Sequence, residues 1–106
     1  MKAMIVSMLV AVGLMTAGMA VASDMPGLAM KYGCKNCHKI DKKAMGPAWQ
    51  DVANKYKGDA GAAVNLNNVI MKGGKGVWGR VPMPATKKIS EPEANELVSF
   101  ILGLAK

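Results

Sequence analysis

An all-α fold follows from three features of the sequence. Apolar residues recur at helical spacing in separate stretches, no segment alternates apolar and polar residues as a half-buried strand would, and no hairpin signal joins two apolar runs. Several short helices and one long ordered loop are expected, forming a single domain over residues 23–106.

The first 22 residues stand apart from that domain. Lys2 precedes an apolar run from Ala3 to Ala22, broken only by Ser7, Gly13, Thr16 and Gly18, and Ala20-Val21-Ala22 ends it with the small-x-small pattern of a cleaved secretory leader. A retained membrane anchor is the competing reading, weakened by the polar Ser23-Asp24 that follows. Cleavage after Ala22 removes 22 of 106 residues and leaves 84. The leader carries Lys2 as its one formal charge, so the net charge of +7 becomes +6. The leader implies export, and the basic balance favours acidic protein partners over nucleic acid, because the chain is exported and basic-aromatic clusters are scarce. A domain this small buries little surface, so something beyond its own side chains is expected to complete the core.

Residues 24–32 are expected to form the first short helix, with Pro26 in its first turn, Leu28, Met30 and Tyr32 as apolar contacts, and Gly33 as its stop. Trp49, Val52, Ala53 and Tyr56 sit at i, i+3, i+4 and i+7, which predicts a second helix opening after Pro47 and closing near Gly58. Asp59 is the expected N-cap of a third helix from Ala60 to Lys72, with Ala63, Leu66 and Ile70 on its apolar stripe and Gly73 beyond its end. Four glycines and two prolines between Gly73 and Lys88 exclude a regular helix there, and a loop of that length in so small a domain is functional or wrapped on something. Ser90-Glu91-Pro92-Glu93 reads as a capping box for a closing helix whose stripe is Leu97, Phe100, Ile101 and Leu104.

The chemistry lies between the first two helices. Cys34-Lys35-Asn36-Cys37-His38 is the Cys-x-x-Cys-His attachment sequence for c-type haem. Two thiols one helical turn apart can each add to a vinyl group on one porphyrin edge, and the next residue's imidazole then faces the iron. A zinc site wants four ligands, and the chain holds two cysteines and one histidine in all. A thioredoxin-like pair expects a strand-helix framework, and a surface coincidence leaves the small core unexplained. Cys34 and Cys37 are therefore expected to be thioethers to one haem c, with His38 the proximal iron ligand.

No second histidine exists for the other face of the iron, which leaves a thioether, a lysine or an open position. Met25 is near a terminus, Met30 adjoins the attachment site, Met45 follows His38 too closely, and Met71 suits a core position. Met83 stands between Pro82 and Pro84, two residues of fixed φ without N–H donors, and is the expected distal ligand. The Pro47 carbonyl is a candidate acceptor for the second ring N–H of His38, with a plain helix-start proline as the alternative. The Trp78 indole N–H is a candidate donor to a haem propionate, with a packed core tryptophan as the alternative.

"CKNCH", "GPA", "GVWG" and "PMP" in that order resemble the class I c-type cytochromes, in the short-chain bacterial monohaem form, over essentially the whole of residues 23–106. The resemblance implies a cytochrome c fold of four to five short helices around one covalent haem, crossing terminal helices, His38 and Met83 as axial ligands, Pro47 as acceptor for the imidazole N–H, and Trp78 as propionate donor. It implies a soluble, monomeric periplasmic electron carrier without enzymatic activity, serving a cytochrome bc-type complex, terminal oxidase, nitrite reductase, peroxidase or photosynthetic reaction centre. Two departures stand out. Thr86 replaces the asparagine that helps orient the methionine sulfur in close relatives, and Val69 and Ile70 occupy the third-helix region where relatives can place an arginine near a propionate. Lys35, Lys42, Lys43, Lys87 and Lys88 are expected to guide docking around an apolar centre at Pro82, Pro84 and Ala85. A peroxidase or gas sensor, with Met83 off the iron, is the rival reading; a copper-binding module is not supported, since half of the ten methionines lie in the leader.

Overall fold

The computed structural model describes residues 25–106; the expected leader, its cleavage point and residue 24 lie outside the described residues. Four α-helices follow in order: α1 (Gly27–Lys31), α2 (Trp49–Lys55), α3 (Ala62–Lys72) and α4 (Glu91–Leu102), with a 3-10 turn over Cys34–Asn36 between α1 and α2. Among the described residues no helix is long and apolar enough to cross a membrane.

The helix ends show where local chemistry competes with periodicity. α1 opens at Gly27, later than the expected start, because Pro26 takes the extended N-cap position (φ −63°, ψ 157°) instead of a place within the first turn. Gly33 stops it in the left-handed conformation at φ 74°. Asp59 does not cap α3. Its carboxylate accepts the Gly61 N–H at 2.8 Å in a tight local turn, so Gly61 becomes the N-cap and the helix starts at Ala62. That register buries Ala62, Leu66 and Ile70 at i, i+4 and i+8 and leaves Ala63, expected on the stripe, exposed.

α4 carries the capping box in full. Ser90 Oγ accepts the Glu93 N–H at 3.2 Å, while the Glu93 carboxylate accepts the Ser90 N–H at 3.1 Å. The helix then packs on both α3 and α2 through Ala94, Leu97, Val98 and Ile101, with Leu97 only 1% exposed. Phe100, expected on the buried stripe, is half-buried with its ring edge-on to Trp49 at 5.9 Å, and Val98 takes the enclosed position. Buried Asn67 donates through Nδ2 to Oδ1 of the exposed Asn95 at 2.7 Å, which ties α3 to α4 and leaves no buried side-chain polar atom unsatisfied among the described residues.

α1 is short and is held from outside. Ala29 is fully buried in the core, the Tyr32 hydroxyl donates to Glu93 at 2.8 Å, and Lys31 reaches the other carboxylate oxygen at 3.5 Å. α1 is joined in this way to the first turn of α4, so the segment that follows α1 is placed against α4. Between α3 and α4 runs the long loop, which contains one antiparallel backbone pair, Gly74 with Met83.

Candidate haem site

The two cysteines and the histidine sit on a single tight turn. The N–H groups of Cys37 and His38 both converge on the Cys34 carbonyl, at 3.2 and 3.0 Å, which winds the turn so that Cys34 and His38 lie four residues apart along one face. The thiols are free and half-buried. Burial pushes the Cys34 thiol above its ordinary pKa, the opposite of what a reactive thiolate pair requires. Among the described residues no three His, Cys, Asp or Glu side chains converge as a metal cage.

His38 is buried, and its orientation is set from behind. Its Nδ1 lies 2.8 Å from the Pro47 carbonyl oxygen, which can only accept, so the proton sits on Nδ1 and Nε2 is left with its lone pair. The backbone that carries Pro47 is itself tied down. Gly46 N–H donates to the Cys37 carbonyl at 2.8 Å, and the first N–H groups of α2, Trp49 and Gln50, donate to Lys39 and Ile40, both at 2.9 Å. Trp49 then lies against the imidazole with ring centres 5.9 Å apart. Gly46 is required by this approach, because a Cβ there would stand 2.7 Å from His38 Cε1 and 3.0 Å from Nδ1.

Met83 faces the same cavity from the long loop. Its N–H donates to the Gly74 carbonyl at 2.7 Å and its carbonyl accepts the Gly74 N–H at 3.0 Å, so both backbone polar groups are committed and the flanking prolines stiffen the chain on either side. Thr86 N–H donates to the Ile70 carbonyl at 2.9 Å, stitching the end of the loop to α3. Gly73 makes the close approach possible: its backbone lies at φ 85°, ψ 168°, and a Cβ would sit 2.7 Å from the Met83 carbonyl oxygen. This glycine is a site residue that sequence reasoning treated only as a helix stop; the following glycine and the Pro-Met-Pro triplet were the available signal.

Between these two walls lies a cavity of about 590 Å³. Its lining brings together Cys34, Cys37, His38, Pro47, Trp78 and Met83, every site residue expected from the sequence, with Trp49, Val52, Leu66, Val69, Ile70, Leu97 and Ile101 as apolar wall. The volume is within the range of roughly 300–1,000 Å³ found for cofactor pockets. Two thiols, a histidine whose Nε2 keeps its lone pair and a thioether from the long loop, all lining one largely apolar cavity, form a donor set that fits haem c. A small helical domain with one covalent haem is the class of protein that this fold and site define.

The comparisons agree. The Cytochrome c family model matches residues 18–105. Cytochrome c-551 of Pseudomonas aeruginosa is 43% identical over 95 residues, covering 90% of each chain, and cytochrome c-551 of Allochromatium vinosum is 47% identical over 77 residues, covering 73% of this chain and 82% of that protein. The crystal structure of Nitrosomonas europaea cytochrome c552 superposes with a TM-score of 0.72 at 41% identity, covering 74% of this chain and 96% of that one. The chain belongs to the cytochrome c family: it has the all-α cytochrome c fold, carries one covalently attached haem c, and is an electron-transfer protein, not an enzyme.

Proposed function

We propose that the chain is a periplasmic electron carrier that exchanges one electron at a time, by outer-sphere transfer, between respiratory or photosynthetic redox proteins. The single observation that supports this reading is that His38 and Met83 line one cavity, each on a backbone that is hydrogen-bonded in place. Bound haem c supplies an iron that cycles between the ferrous and ferric states. Cys34 and Cys37 hold it covalently. His38, with its proton kept on Nδ1 by Pro47, would offer Nε2 as the proximal iron ligand, and the acceptor behind the ring would fix its orientation. Met83 would offer its thioether as the distal iron ligand and so raise the potential, and Trp78 would offer its indole N–H to a propionate. Leu66, Val69, Ile70, Leu97 and Ile101 exclude water from the cavity, so little reorganises when the charge on the iron changes.

Docking follows from the surface around the cavity mouth. Pro82, Pro84 and Ala85 are exposed, and Lys35, Lys42, Lys43, Lys87 and Lys88 are exposed as well. An apolar centre with a basic rim suits brief contact with an acidic face on a cytochrome bc-type complex, terminal oxidase, nitrite reductase, peroxidase or reaction centre. Export with cleavage after Ala22 delivers the monomer to that compartment, and the mass of the mature protein tests it directly.

The test of the ligation is an optical titration with carbon monoxide. The expected result is a far-red sulfur-to-iron band in the oxidised protein and a reduced spectrum indifferent to carbon monoxide. Met83→Ala keeps the covalent haem, loses the band, lowers the potential and binds carbon monoxide. A native spectrum that shifts readily with carbon monoxide would establish an open distal site and a sensor or enzyme in place of a carrier.

A further inference from the structure

A haem brings two propionates, and an indole N–H is a neutral partner for one of them. The α3 part of the cavity wall is Asn65, Leu66, Val69 and Ile70, without a cation. Of the wall lysines, Lys31 is already paired with Glu93 at 3.5 Å. Resting on the proposed role of Trp78, we infer that Lys55, at the end of α2, supplies the positive charge for the propionate end of the site. Its Nζ lies 5.7 Å from the centre of the Trp78 ring and 5.9 Å from that of Tyr56, and both rings line the cavity. The two aromatic rings hold an exposed, flexible ammonium beside the indole donor. Among the described residues Lys55 has no carboxylate within ion-pairing distance, so its charge is available to a ligand.

The groups that share this end of the molecule are few. Asp51 lies one turn earlier on α2 and Asp59 in the turn after it, while Lys75 and Arg80 flank Trp78 on the loop. Lys75 and Lys87 line the cavity, as Lys55 itself does not, and are the rival cations. Lys55 is favoured over them because its ammonium lies over the Trp78 ring, 5.7 Å from its centre, within a few ångströms of the edge at which a carboxylate would accept the indole N–H.

The experiment is a measurement of midpoint potential against pH on the haem-loaded protein, in which ionisation of the propionate appears as an inflection. Lys55→Gln moves that inflection upward by about one pH unit, since a carboxylate that loses a nearby cation is protonated more readily, and lowers the potential above it. Lys55→Arg, which keeps the charge and stacks on the same rings, restores the native curve. Lys75→Gln leaves the inflection in place. An unmoved inflection in Lys55→Gln, with a shift in Trp78→Phe, overturns the assignment of Lys55 and leaves the role of Trp78 standing; a shift in Lys75→Gln or Lys87→Gln with none in Lys55→Gln transfers the charge to that lysine. No shift in any of these variants places the propionates elsewhere and overturns both.

Discussion

Replacing Gly73 by alanine strikes the distal wall of the cavity at the point where α3 hands over to the long loop. The backbone there, at φ 85° and ψ 168°, lies in a region open almost only to glycine, and holding an alanine in it costs about 1–3 kcal/mol. The added Cβ would also meet the Met83 carbonyl oxygen at 2.7 Å, the Ala85 nitrogen at 3.0 Å and the Pro84 carbonyl carbon at 3.3 Å. All three are backbone atoms, so no side chain can swing aside. Relief requires residues 83–85 to move, which breaks the two Gly74–Met83 hydrogen bonds at 2.7 and 3.0 Å, each contributing about 0.5–1.5 kcal/mol. The variant adopts the cheaper compromise between strain and release, a net loss of about 2–3 kcal/mol, or roughly 30- to 150-fold in favour of the detached loop. Urea unfolding of the haem protein measures the loss, and the far-red band reports whether Met83 still reaches the iron. An unchanged midpoint with an intact band would refute the claim that Gly73 holds the loop against α3.

Three further outcomes follow from the same geometry. Gly46→Ala presses on the His38 ring and stretches its hydrogen bond to Pro47; the ring-proton NMR shifts of His38 and the midpoint potential both move, and unchanged values would show that the loop yields freely. Ser90→Ala removes the hydroxyl of the capping box and destabilises α4 by about 0.5–2 kcal/mol, read as a shift in urea midpoint without change in the optical spectrum. Glu93 is held at about 2, below the ordinary 4.5, first by the hydrogen bond from Tyr32, then by that from the Ser90 backbone, with Lys31 a smaller contribution. A carboxylate depressed in the folded state stabilises above its ordinary pKa and loses that contribution as pH falls toward the folded value. The stability advantage of the native chain over Glu93→Gln is therefore full above pH 4.5 and disappears between pH 4.5 and 2; an advantage that persists at pH 2 would sink the assignment.

Much of this molecule was legible in one dimension because its strongest signals are local. The Cys-x-x-Cys-His spacing is a covalent requirement satisfied within one turn, the capping box at Ser90 and Glu93 closes over three residues, and the stripes of α2 and α4 repeat every helical turn. Met83 could be singled out because two prolines constrain it whatever lies around it. Where two local devices competed, periodicity alone misjudged the outcome: Asp59 bonds Gly61 within its own turn instead of capping α3, and one residue of register decides that Ala62 is buried and Ala63 exposed.

What the tertiary structure decided is everything that depends on approach between distant segments. The acceptor behind His38 needed the 38–47 loop to close on itself, and the hub that joins Tyr32 and Lys31 to Glu93 spans some sixty residues. Gly73 and Gly46 look like ordinary punctuation in the sequence; only the folded chain shows that a missing Cβ lets Met83 and His38 come so close. The position of Lys55 over Trp78 belongs to the same class, since neither residue carries any sequence sign of the other. Local bonding patterns are written in neighbouring residues, whereas steric fit and charge placement arise only when the hydrophobic faces of α2, α3 and α4 have been brought together.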